Sequence, residues 1–135
     1  MPCQSPKFAQ CAADLLPDER GLRRTKPGEP MIKLIATIHR KPGLSDEAFL
    51  RHWREIHVPL VARLPNLKGY VINPFLDTMD EVRPYDGIAE LWFEDRAAFD
   101  RSMASPERDA ARADLAEFTD LARMTRAIVD EERIL

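Results

Sequence analysis

Cysteine is scarce. The 135-residue chain holds two, Cys3 and Cys11, both ahead of the first clean strand pattern. A cysteine nucleophile, a structural thiolate zinc site and a disulfide framework are therefore excluded from the rest of the chain. Long apolar runs are missing too. None reaches the roughly 18 residues of a membrane span, and the start of the chain has no hydrophobic leader core. A cytoplasmic protein with no membrane association is expected. Positive charge is not in excess: net charge is −3, and from Met31 onward 15 basic residues face 19 acidic ones. That balance excludes nucleic acid as a partner, because phosphate binding needs a basic face. No glycine-rich phosphate loop occurs. The three histidines show neither H-x-H nor H-E-x-x-H spacing, so no metal and no cofactor are expected.

What is present begins with proline. Pro2, Pro6, Pro17, Pro27 and Pro30 punctuate residues 1–30. Such a composition predicts a flexible N-terminal extension, with Met31 as a possible alternative start. Residues 31–135 are expected to form one domain.

The central stretch is RKPGLSDEAFLRHWREIHVPLVARLPNLKGY, residues 40–70. Ser45 is suited to cap a helix, and Asp46 and Glu47 complement its dipole. Phe49, Trp53, Ile56 and Leu60 follow at helical spacing and predict one apolar face. Pro59 cannot donate to Glu55 and disfavours helical angles at Val58. The helix is expected to end near His57 and to restart with Pro59 in its first turn. His57 would then sit at a helix C-terminus, where the dipole favours its charged form and burial its neutral form.

Strands are predicted at Met31–His39, Leu67–Pro74 and Gly87–Glu94, where side chains alternate. Pro74 should end its strand or place it at a sheet edge. Residues 75–86 form a long loop, of a size often used for binding. Asp95 and Ser105 are placed to cap two further helices, the second carrying Ala111, Leu115, Phe118 and Ala122 on one side. A last strand is expected over about Met124–Arg133. The order β-α-β-β-α-α-β predicts an α+β ferredoxin-like sandwich with a four-stranded, mainly antiparallel sheet. Its uncovered face would carry Ile35, Ile88 and Trp92 beside Thr37, His39 and Glu90. Such a face should be covered by a second copy of the sheet, giving a homodimer that closes a barrel-like cavity.

Several of these pieces combine into a family pattern. They are W-x-x-x-H-x-P-L at Trp53–Leu60, L-P-x-L-x-x-Y at Leu64–Tyr70, Asn73, YDGIAELWFED, and the D-x-x-x-F-x-D of Asp114, Phe118 and Asp120. Together they resemble the signature of the EthD family, within the dimeric α+β barrel superfamily. The chain departs from it at Val58, where glycine is commoner, and in residues 1–30, which have no counterpart. The resemblance implies a small homodimeric domain. Its superfamily includes lactone isomerases, cofactor-free monooxygenases, polyketide cyclases and haem proteins.

The candidate chemistry lies in side chains that can move protons. His57 is the first candidate for general acid or base. Glu90, mid-strand on the expected cavity face, would either pair with His57 or Tyr70 or be kept for chemistry. Tyr70 would anchor a substrate. Asn73, Trp53, Trp92 and His39 are candidate binding residues, Trp53 being better suited to the core. Three functions are consistent with these residues. The first is proton-transfer catalysis (isomerisation, cyclisation or decarboxylation) on a small apolar or aromatic compound. The second is an oxidoreductase such as a cofactor-free monooxygenase. The third is non-catalytic binding of a small molecule.

Overall fold

The computed structural model describes residues 31–135; the expected extension over residues 1–30, with Cys3 and Cys11, lies outside the described residues. Strand β1 (Ile32–Ile38) leads into helix α1 (Asp46–His52), a π-helical turn (Trp53–His57) and helix α2 (Val58–Val61). Strands β2 (Leu67–Pro74) and β3 (Gly87–Phe93), helices α3 (Arg96–Met103) and α4 (Pro106–Phe118), a 3-10 turn (Leu121–Arg123) and strand β4 (Arg126–Asp130) complete the order. The sheet runs β2-β3-β1-β4, with every neighbouring pair antiparallel. Pro74 lies on edge strand β2, where its missing N–H costs no ladder bond.

The three predicted caps form. Ala48 N–H donates to Ser45 Oγ at 3.0 Å, Ala98 N–H to Asp95 Oδ1 at 2.8 Å, and Arg108 N–H to Ser105 Oγ at 3.1 Å. Two predictions near helix ends are corrected. Helix α4 stops at Phe118, so Ala122 falls in the 3-10 turn, and β4 is shorter than the stretch 124–133.

The larger correction is at Pro59, where the helical segment does not break. Val58 is helical (φ −54°, ψ −46°), and its N–H donates to the carbonyl of Trp53, five residues back. The wider turn leaves room for a proline ring that would clash with the carbonyl four residues earlier in a regular helix. Ala62 N–H then bonds the Val58 carbonyl at 2.9 Å, and the α pattern resumes. The extra residue rotates the buried face. Trp53 and His57 turn inward at 0% and 6% exposure, and the predicted core residue Ile56 turns out to 49%.

The helices cover one face of the sheet. From that face Ala36, Ile38, Ala89, Leu91 and Phe93 meet Phe49, Trp53, Phe99 and Phe118 in the core. Gly87 is part of this packing: a Cβ there would lie 2.5 Å from the Trp53 ring. The other face carries Ile35, Ile88, Trp92 and Val71 around a polar centre of Lys33, Glu90 and Asn73. Among the described residues no helix is long and apolar enough to cross a membrane.

Candidate active site

The site is built where the π turn faces α4. On α4, Ala111, Asp114 and Phe118 recur at helical spacing, and that stripe turns toward the first helical segment. The stripe is apolar except at Asp114, whose carboxylate therefore needs polar partners. It finds two imidazoles. His57 Nδ1–H donates to Asp114 Oδ2 at 3.0 Å, and His52 Nε2–H donates to Asp114 Oδ1 at 2.9 Å. The direction follows from the carboxylate, which only accepts. Both rings rest on the fully buried Phe118, with centroids at 4.6 Å for His52 and 5.1 Å for His57.

Burial decides the state of His57. Desolvation pushes its pKa below the ordinary histidine value, against the hydrogen bond and charge of Asp114, which raise it; the charge of His52 lowers it further. The ring is thus neutral at neutral pH. With the proton on Nδ1, Nε2 carries the lone pair, the form a general base requires.

On the same side of the sheet, Trp53 and Tyr70 bring two buried donors. Trp53 Nε1 and Tyr70 Oη face each other, and neither makes a hydrogen bond of full geometry with any described residue. Burial pushes the tyrosine pKa up to about 12, against the neighbouring Trp53 N–H, which lowers it, so the phenol stays protonated and able to donate. Tyr70 lies opposite Leu91 on the helix-covered face, the side to which the π turn delivers Trp53 and His57.

The other predicted site residues lie elsewhere. Glu90 does not pair with His57 or Tyr70: it accepts from Lys33 Nζ at 2.7 Å and from Asn73 Nδ2 at 2.8 Å, on the face away from the helices. The Lys33 bond, partly opposed by burial and reinforced by Asn73, lowers its pKa. Strand alternation forces the separation, since Glu90 falls between the inward-facing Ala89 and Leu91. Trp92 shares that outer face, its indole N–H donating to Glu131 Oε1 at 2.7 Å and its ring lying under Lys33. His39 is buried at the exit of β1; burial, then Arg123, lowers its pKa against Asp86 and Asp120. The residues therefore form two groups, one on each side of the sheet, with His39 at its end.

His52 and Asp114 had no assigned role in the sequence reading. His52 carries no local signal, since it lies outside the family pattern and off the predicted apolar face. Asp114 was legible as the first residue of the D-x-x-x-F-x-D pattern and as an acidic residue on an otherwise apolar helical stripe. No group of three or more histidine, cysteine or acidic side chains with metal-binding geometry occurs among the described residues.

Comparison with known proteins agrees with this architecture. The EthD domain matches residues 41–122, a span that holds His52, His57, Tyr70 and Asp114. The chain belongs to the EthD family. It is 36% identical over 89 residues to an uncharacterized 11.0 kDa protein of Rhodococcus erythropolis, covering 65% of this chain and 84% of that one. It is 27% identical over 122 residues to dehydratase aurZ of Gibberella zeae, covering 77% and 80%. Among solved structures, an EthD family protein of Bacillus halodurans superposes with a TM-score of 0.66 at 24% identity, covering 76% of this chain and 99% of that one. A dimeric ferredoxin-like protein of unknown function from Thermobifida fusca gives 0.62 at 18% identity, covering 77% and 93%. The cofactor-independent oxygenase SnoaB of Streptomyces nogalater gives 0.57 at 12%, covering 78% and 97%. These structural likenesses establish the ferredoxin-like α+β fold.

Proposed function

We propose that the protein is a proton-transfer enzyme acting on a small, largely apolar carbonyl compound, with His57 as the base. The observation that carries this reading is the buried His57–Asp114 pair. It presents a neutral imidazole whose tautomer is set by a carboxylate. Tyr70 Oη–H and Trp53 Nε1–H would supply the donors that hold a carbonyl oxygen as negative charge develops on it. Removal of a proton from the adjacent carbon by His57 Nε2 then leaves an enolate stabilised by those donors. Loss of a β-hydroxyl, isomerisation or cyclisation could each follow from that intermediate. The relationship to dehydratase aurZ supports this class, since elimination of water begins or ends with such a proton transfer.

The working form proposed is a homodimer in which the faces bearing Trp92, Ile88 and Val71 pack together. The half-buried Ile88 and Trp92 and the exposed Val71 support it, as does the dimeric state given for the Thermobifida fusca protein.

The test is exchange and elimination chemistry in D2O with a panel of aryl ketones, lactones and β-hydroxy ketones, followed by NMR. Wild-type protein should catalyse deuterium uptake at the carbon next to the carbonyl. His57→Gln should lower the rate by about 10²–10⁴-fold. Equal rates for the two proteins would overturn the assignment of His57. Consumption of dioxygen by a substrate, without exchange, would favour an oxygenase.

A further inference from the structure

Asp114 serves two imidazoles, and only one of them belongs to the proposed base. Its Oδ1 lies 2.9 Å and its Oδ2 3.1 Å from His52 Nε2, while Oδ2 also meets His57 Nδ1 at 3.0 Å. A carboxylate held by His57 alone could turn about its last side-chain bond and would leave one oxygen buried without a partner. That is costly. His52 removes both problems at once. It is itself held: its ring stacks on Phe118 at a 20° interplanar angle.

The two histidines differ in access. His52 lines a surface pocket of about 300 Å3 with Leu44, Ala48, Arg51, Glu55, Ile56 and Glu117, whereas His57 is buried. A proton from bulk water can therefore reach His52 without passing through the site.

We propose that His52 is a positioning residue for His57, acting through Asp114: it locks the carboxylate that fixes the His57 tautomer and couples that pair to solvent. The proposal rests on the reading of His57 as the base. It adds a residue that meets the same carboxylate from the solvent-accessible pocket. When His52 carries a proton, its charge opposes a proton on His57 across the shared carboxylate. Arg51, Glu55 and Glu117 border the pocket around His52, while the charges acting on His57 itself are Asp114 and His52.

The chain has three histidines, so the ring resonances of His39, His52 and His57 can be assigned by single substitutions. Two variants separate the effects. His52→Gln can still donate to Asp114 but cannot titrate; His52→Leu can do neither. Long-range 1H–15N spectra of the full chain, without substrate, report tautomer and titration midpoint together. In wild-type protein His57 should be an Nδ1–H tautomer across neutral pH. In His52→Gln that tautomer should persist and the His57 midpoint should move up. In His52→Leu the midpoint should also move up, and His57 should sample both tautomers. A His57 tautomer and midpoint unchanged in both variants would overturn the proposal. If His52→Leu fails to fold, the midpoint in His52→Gln decides alone. None of these readouts uses turnover, so failure of His57 as base, seen as normal rates in His57→Gln, is a separate result.

Discussion

Asp114 Oδ2 lies 3.0 Å from His57 Nδ1, on a helical stripe that is otherwise apolar. Replacing Asp114 by Asn keeps the size and loses the acceptor charge. Because Asp114 raises the His57 pKa, its removal should move the His57 midpoint down, further from neutrality. Stability should fall by about 1.5–3 kcal/mol, the range for a buried hydrogen bond to a charged group. Imidazole NMR titration and urea denaturation would measure the two effects.

Acid stability should carry the signature of His57. Its folded pKa is depressed, so the unfolded chain binds the extra proton first. The contribution is present above about pH 6.5, the unfolded value, and is lost as pH falls toward the folded value. Urea denaturation of wild type and His57→Gln between pH 7.5 and 5 should show a steeper decline for wild type. Parallel curves would contradict the assignment.

Glu90 should act in a different window. Its folded pKa is lowered, chiefly by Lys33, so its contribution is present above its unfolded value and lost as pH falls through the folded one. Glu90→Gln should remove that more acidic slope. It should leave the His57 midpoint where it is, because the two side chains occupy opposite faces of the sheet. A displaced His57 midpoint would show that the faces communicate.

Gly87→Ala should cost about 1–3 kcal/mol by overpacking, since the new Cβ would lie 2.5 Å from the Trp53 ring. Trp53→Leu in the same chain should recover part of that loss, because the clashing ring is gone. A thermal melt of the single and double variants checks both statements.

Trp92→Glu should weaken the proposed dimer by roughly 30-fold or more, as expected for loss of a central aromatic anchor worth about 2 kcal/mol. Sedimentation velocity across a concentration series would show it as a shift toward monomer. A wild-type protein that is monomeric at micromolar concentration would remove the face-to-face dimer altogether.

The strands, the three caps and the sidedness of β1 and β3 were legible in the sequence because they depend on neighbours a few residues away. Ser45, Asp95 and Ser105 act within one turn. Alternation along β1 and β3 needs only a period of two. His57 and Tyr70 could be singled out from residue type and motif. What escaped that reading was set by contacts between distant segments. Ile56 was expected inside because a regular helix puts it there; the π turn at Trp53–His57, which accommodates Pro59, turns it out. Glu90 was expected beside His57 because both belonged to a cavity drawn without knowing which sheet face the helices cover. Asp114 is 57 residues from His57, and only the packing of α4 against the π turn brings them together. Local pattern determined which elements form and which way their side chains alternate. Tertiary packing decided which polar groups share a buried space, because a carboxylate that loses water must find its partners wherever the fold provides them.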